Sequence, residues 1–166
     1  MKRTHSLLAA AAVAALASFA SLPARAGEAV VRYVDPDRFS DLATTRLQEQ
    51  ETMNALSSHL QQLAAGLPAG EVLRVDVLDV DLAGSVRHGR RGDVRVNNGR
   101  ADAPMIRLRY TLESQGRVLR SGEERLVDLA YIEPTGSWRS HGQFYYEKRM
   151  LSAWFARTIG ETHAAR

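Results

Sequence analysis

Arginines are the side chains of this sequence with the clearest potential for chemistry. They cluster in residues 83–104 and continue into the strand pattern that follows. Residues 83–104 have no periodicity, and only Val94–Val96, followed by Asn97-Asn98-Gly99, is consistent with the edge of a short hairpin. A guanidinium group presents a planar fork of donors that suits phosphate and carboxylate. We therefore predict an anion-binding surface that draws on Arg90, Arg91, Arg95, Arg107 and Arg109. The alternative is that each arginine is paired locally with one of the chain's 19 acidic residues.

Two aspartates, Asp79 and Asp81, offer a second kind of chemistry. They lie two residues apart in a strand pattern, so they share one face of the strand. Clustered carboxylates bind hard cations such as calcium, and a carboxylate pair also serves hydrolases. Asp76, before the expected bulge, is a candidate third carboxylate on this face. No EF-hand type loop surrounds the three aspartates and no fourth ligand is identifiable. The alternative is a solvated sheet face whose charges discourage edge aggregation.

Several catalytic classes are excluded or unsupported by the residues present. The chain has no cysteine, which excludes thiol catalysis, thiolate zinc sites and disulfide exchange. The sequence contains no Gly-x-Ser-x-Gly elbow and no phosphate-binding glycine loop. No histidine pair has the spacing of a zinc hydrolase; the histidines after the leader are His59, His88, His141 and His163. No catalytic residue and no cofactor is therefore predicted.

Residues 1–26 have the pattern of a secretory signal peptide. Lys2 and Arg3 give a positive start, and an apolar run extends from Leu7 to Ala20. Ala24-Arg25-Ala26 places small residues at the two positions that signal peptidase requires to be small. The apolar run is shorter than the roughly 20 residues needed to span a bilayer, which disfavours a retained anchor. We predict cleavage after Ala26 and an exported, periplasmic protein.

Removal of this leader changes what the net charge implies. The whole chain has a formal net charge of +3. Three of its 22 basic residues lie in the leader, so the remaining 19 equal the 19 acidic residues. A nucleic-acid partner is therefore not expected. In an envelope compartment the candidate partners are an anionic component, such as lipid phosphate or cell-wall carboxylate, or another envelope protein.

The pattern after the leader begins with a strand and a helix. Glu28–Val34 is rich in valine and aromatic residues, as strands are. Thr45 and Gln48 have capping-box spacing, which predicts the start of a helix. Leucines and a methionine then recur at steps of three and four, and Gly66 is suited to end the helix.

Three strands and a second helix are predicted beyond that point. Residues 72–82 alternate with a slip at Leu78, which predicts a β-bulge. Residues 105–113 and 117–129 alternate around a tight turn, with a second bulge expected near Gly122. A final helix from Phe144 to Ile159 has an apolar stripe, and Glu147 is expected mainly on its solvent side.

The fold predicted from these elements is α+β. It has a single antiparallel-rich sheet with two helices on one face, in the order β-α-β-β-β-α. Residues 27–166 are predicted to form a single domain, since this length suffices for one hydrophobic core.

Six short strings follow one another along nearly the whole chain after the leader. They are Tyr33–Pro36, Leu78–Gly84, Arg91–Val96, Ile106–Leu112, Ser121–Glu124, and Tyr146–Leu151 with Trp154-Phe155. Together they resemble domain of unknown function 3016, a family of small exported bacterial proteins. The resemblance implies an exported single-domain protein, and it supplies no reaction, ligand or catalytic residue.

The sequence therefore favours a non-enzymatic binding or accessory module of the bacterial envelope. Such a module would act through the open face of the sheet and the arginine-rich loop. One alternative is an uncharacterised periplasmic hydrolase that uses Asp79 and Asp81, with or without a metal. Another is a structural or stress-related envelope protein without a ligand.

Overall fold

The computed structural model describes residues 26–90, 92–96, 99–131 and 142–160. The predicted leader up to Arg25 lies outside the described residues, as do Arg91, His141 and His163. None of the helices in the described ranges is long and apolar enough to cross a bilayer.

Two helices and six strands make up this part of the chain, and the α+β class is confirmed. The main sheet has the order β1-β2-β5-β6. Its strands are β1 Glu28–Tyr33, β2 Glu71–Asp81, β5 Met105–Ser114 and β6 Arg117–Val127. The helices are α1 Arg46–Ala64 and α2 Tyr145–Phe155, and a π-helical turn, Ala156–Gly160, extends α2. A separate two-stranded sheet pairs β3 Ser85–Gly89 with β4 Gly92–Val96.

The sheet arrangement refines the predicted order. β1 runs parallel to β2, whereas β2, β5 and β6 pair antiparallel. The parallel pair follows from α1, because a helix that connects two strands returns the chain to the end where the first strand began. The stretch 83–104 adds the β3–β4 hairpin, of which the sequence indicated only the Val94–Val96 edge.

Both helices pack on one face of the main sheet. The inward residues of β2 and β5, among them Val75 and Leu108, are almost fully buried. Leu56 and Leu60 of α1 and Trp154 of α2 meet them at 2% exposure or less. Burial of such a side chain contributes about 1.5–3 kcal/mol, so this layer dominates the stability. The opposite face is polar, and no described helix covers it.

The predicted start of α1 is confirmed. Thr45 is the N-cap, and its hydroxyl oxygen accepts a hydrogen bond from the backbone N–H of Gln48 at 3.3 Å. The cap satisfies one of the backbone donors left open in the first turn. It thereby fixes the N-terminal end of α1, which forms part of the site described below.

Of the two predicted bulges, one is confirmed and the other lies elsewhere. The β2–β5 register shifts between Val77 and Asp79, as expected for a bulge at Leu78. In β6 the shift falls at Leu119, and Gly122 pairs in register with Tyr110. A Cβ atom at Gly122 would lie 3.1 Å from the Tyr110 ring. The glycine therefore makes room for an aromatic ring.

Candidate functional site

The β3–β4 hairpin extends from the body of the protein, and we name Ser85–Val96 the arm. Its two strands pair only with each other, in a sheet separate from the main one. Arg87 lies opposite Val94 in the register, and both are exposed, Val94 to 61%. Arg90 is exposed at the turn. The tip of the arm therefore combines cationic and apolar side chains facing solvent.

At the base of the arm, the Arg95 guanidinium binds groups within the protein. Its guanidinium binds both carboxylate oxygens of Asp41, at 2.8 and 3.0 Å. It also donates to the backbone carbonyl of Gly84 at 2.7 Å. The bidentate pair ties the arm to the segment that leads into α1. Arg95 was predicted to bind an anionic partner, and this arrangement gives it a structural role.

The tip arginines differ from Arg95 in their partners. Within the described ranges, neither Arg87 nor Arg90 forms an ion pair or a side-chain hydrogen bond. The one polar contact between side chains near the tip joins His88 Nδ1 to Asp93 Oδ1 at 2.8 Å, on the other face of the hairpin. Arg91 lies outside the described residues. The tip therefore has positive charge available for an external anion.

Arg107 and Arg109 lie on the open face of the main sheet. One row of opposite charges crosses all four strands through Arg32, Asp76, Arg109 and Glu123. The Arg32–Asp76 pair has N···O distances of 2.9 and 2.8 Å, and the Arg109–Glu123 pair one of 3.0 Å. Arg107 lies 3.9 Å from Glu123. Of the five predicted arginines, the four that the structure describes are not gathered into one surface.

The two aspartates of the predicted carboxylate pair, Asp79 and Asp81, have different surroundings. Asp79 accepts hydrogen bonds from the backbone N–H and the hydroxyl of Ser40, at 2.7 and 2.8 Å. Asp81 lies beside Asp41 in an isolated bridge, and burial together with the charges of Asp41 and Asp79 raises its pKa. Among the residues that the structure describes, no group of three or more His, Asp or Glu side chains is arranged to hold a metal ion. The hydrolase alternative gains no support here.

A cleft of about 390 Å³ lies beneath the arm. Val86, Asp93 and Arg95 form the wall on the arm, and the first turns of α1 and α2 form the other walls. Its polar and aromatic lining includes Thr44, Gln48, Gln143, Phe144, Tyr145 and Tyr146. A volume of this size accommodates a small organic molecule.

Glu147 lies in the wall of this cleft at 3% exposure. Its Oε1 accepts a hydrogen bond from the backbone N–H of Ala83 at 2.8 Å, and burial raises the pKa of its carboxyl group. The expectation that it faces solvent is wrong. Glu147 is the third residue of α2, and its spacing to Met150, Leu151 and Trp154 continues their buried stripe. That i, i+3, i+4, i+7 spacing was the signal for its burial.

A contact between the helices joins His59 and Ser152. His59 Nε2 lies 2.9 Å from the carbonyl oxygen of Lys148 and 2.8 Å from Ser152 Oγ, and the Ser152 hydroxyl donates to the same carbonyl. Burial lowers the pKa of His59, which favours the neutral ring. A ring whose Nε2–H donates to the carbonyl cannot accept the serine proton on that nitrogen. The pair therefore links α1 to α2.

The comparisons with known proteins give one match. The model of a family described as "Protein of unknown function (DUF3016)" matches residues 27–157. Comparison with curated proteins finds no match, and neither does comparison with solved structures.

Proposed function

The chain belongs to the DUF3016 family of proteins of unknown function, and we propose that it is an exported, non-enzymatic binding module of the bacterial envelope. The arm docks the protein on an anionic phospholipid surface. The observation that carries this proposal is the composition of the tip of the arm. Arg87 and Arg90 have no ion pair among the described residues and lie near the exposed Val94, whereas three other exposed or half-buried arginines, Arg32, Arg95 and Arg109, are paired.

The composition of the tip suits the boundary between lipid headgroups and acyl chains. Arg87 and Arg90 supply positive charge, and Val94 adds an exposed apolar group beside Arg87. Each arginine close to an anionic membrane surface contributes about 1 kcal/mol at moderate ionic strength. Since the chain without its leader has no net charge, we assign the attraction to this local patch and not to the protein as a whole. It should therefore weaken within about a Debye length of the surface and fall as salt is added.

The test uses the protein purified from its host's periplasm and vesicles of phosphatidylglycerol and phosphatidylcholine. The double variant Arg87→Ala/Arg90→Ala removes two tip charges. We expect its vesicle affinity to fall about 30-fold, the equivalent of about 2 kcal/mol. Pure phosphatidylcholine vesicles should bind neither protein.

The matched control is Arg117→Ala/Arg125→Ala, which removes the same charge from two exposed arginines of β6 that have no ion pair in the described residues. Its affinity should stay within about threefold of the unmodified protein. Equal losses in both double variants would contradict the arm as the docking element. Binding to an acidic cell-wall polymer without binding to vesicles would overturn the assignment to lipid, and binding to neither would favour a structural role.

The exported location has its own test. Signal peptidase cleavage after Ala26 leaves Gly27 as the first residue of the periplasmic protein. Gly27 lies against the end of α1, where a Cβ atom would come within 2.6 Å of the Ala64 carbonyl oxygen. Amino-terminal sequencing of the periplasmic protein should begin at Gly27, and a cytosolic chain that still carries Met1 would contradict export.

A further inference from the structure

The cleft beneath the arm is lined by two acidic residues, whereas the tip of the arm carries arginines. We propose that it is a second binding site, which takes a small organic cation and directs an ammonium or guanidinium group toward Glu147. The inference does not depend on membrane docking, because it uses the inner face of the arm and a different class of ligand.

The charges around the cleft favour a cation. Glu147 and Asp93 are the acidic residues of the lining, and Arg95 is the only basic one among the described lining residues. The charge of Arg95 is partly offset by its bidentate pair with Asp41, although it still acts to lower the pKa of Glu147. Asp81 adds a further carboxylate close to that pair. An anionic ligand would therefore be repelled and a cation attracted.

Glu147 has the features of a ligand-binding carboxylate. It is buried at 3% exposure, and among the described residues it forms no ion pair. Its hydrogen bonds come from the backbone N–H of Ala83 and from its own N–H in the first turn of α2. These donors orient the carboxylate without supplying a full counter-charge. A buried carboxylate of this kind is strongly stabilised when a cation enters beside it.

Aromatic side chains supply the second element of cation recognition. Phe144, Tyr145 and Tyr146 line the cleft next to Glu147 in the sequence of α2. The electron-rich face of an aromatic ring attracts a cation within about 6 Å of its centroid. The Arg149 guanidinium already lies 5.6 and 5.7 Å from the centroids of the two tyrosine rings. The rings therefore interact with a cation within the protein itself.

The experiment compares benzylammonium with benzyl alcohol, which has a similar shape and no charge. Binding to the full exported chain is followed by isothermal titration calorimetry and by chemical-shift changes in NMR spectra. We expect saturable binding of benzylammonium and no saturable binding of benzyl alcohol. Equal binding of the two probes, or no binding of benzylammonium, would overturn the proposal.

Two variants locate the binding. Glu147→Gln keeps an oxygen acceptor for the Ala83 N–H but removes the charge, and we expect at least a tenfold loss of benzylammonium affinity. The matched control Glu113→Gln removes a carboxylate from the open face of the sheet, where it pairs with Arg74 at 3.2 Å. The control should retain full affinity, and equal affinity in both variants would overturn the site.

A third variant covers the case in which Glu147→Gln fails to fold. Ala43→Phe adds a ring to the cleft from the segment that precedes α1, and Ala43 itself takes no part in the Ala83–Glu147 hydrogen bond. Circular dichroism should show a folded protein, and benzylammonium binding should be lost. Undiminished binding in this folded variant would place the cation elsewhere and overturn the proposal.

Discussion

The tip and the base of the arm use the same residue type for opposite purposes. Arg90 at the tip faces solvent, and in the described residues it has no polar partner. Arg95 at the base is held by both oxygens of Asp41 and by the carbonyl of Gly84. The difference shows that the availability of an arginine depends on partners far away in the sequence, and here Asp41 is 54 residues from Arg95.

The open face of the main sheet gives a third, intermediate arrangement. Arg107 and Arg109 are exposed, yet Glu123 pairs with both of them. Such pairs contribute little stability, because solvent and salt screen them. They do reduce the charge that an external anion meets. Exposure alone therefore does not identify a binding arginine.

The largest effect is expected at the base of the arm. Arg95→Ala leaves Asp41 without its cation and removes the donors to Gly84, in a site where both side chains are about three-quarters buried. We expect a loss of about 2–3 kcal/mol in the free energy of unfolding, measured by urea denaturation. A loss below 0.5 kcal/mol would show that Arg95 contributes no more to the free energy of unfolding than the tip arginines are expected to do.

The second effect concerns the tip and separates binding from stability. Arg87→Ala/Arg90→Ala should change the free energy of unfolding by less than about 0.5 kcal/mol, because exposed side chains without partners stabilise little. The same variant is expected to lose about 30-fold in vesicle affinity. A large drop in its melting temperature would mean that the tip also has a structural role.

A smaller effect is expected on the open face. Arg109→Ala removes an exposed pair in the row of charges, and we expect a destabilisation of about 0.5 kcal/mol. Vesicle affinity should remain unchanged, since Glu123 already compensates this arginine. Vesicle binding reduced as much as in the tip variant would extend the docking surface to the sheet.

The smallest effect is a pH dependence in the same row. The Arg32 guanidinium hydrogen-bonds to Asp76 and lowers its pKa. The stabilisation that this pair contributes is therefore complete above the pKa of an unfolded aspartate and is lost as the pH falls through the lowered value. Urea denaturation between pH 7 and pH 2 should show a slightly shallower acid-side loss in Asp76→Asn. Identical slopes would mean that solvent screens the pair completely.

Local sequence patterns predicted the elements whose structure depends on near neighbours. Alternation identified β2 and β5, and the slip at Leu78 revealed the bulge between Val77 and Asp79. Capping-box spacing gave the start of α1 at Thr45. In each case the residues that determine the structure lie within one strand or one helical turn.

Features that depend on distant partners were missed or placed wrongly. Gly122 suggested a bulge, but its reason is the Tyr110 ring across the ladder. The arm was only partly recognised, because its two strands are too short to show a clear alternation. Gly92 in its turn has a positive φ, which hydrophobic periodicity does not indicate. The cleft depends on the meeting of three segments, so only the burial of Glu147 was encoded locally.

The way the arm joins the body has a consequence for how such chains can diversify. β2 and β5 are already antiparallel neighbours, with Asp81 paired to Met105, and the backbone N–H of Gly84 reaches the carbonyl of Asp102 at 3.0 Å. The chain thus leaves the core and returns to it at almost the same point. The arm is an enlarged connection between the antiparallel strands β2 and β5. Its length and composition can therefore change while the main sheet and the two helices that pack on it stay the same.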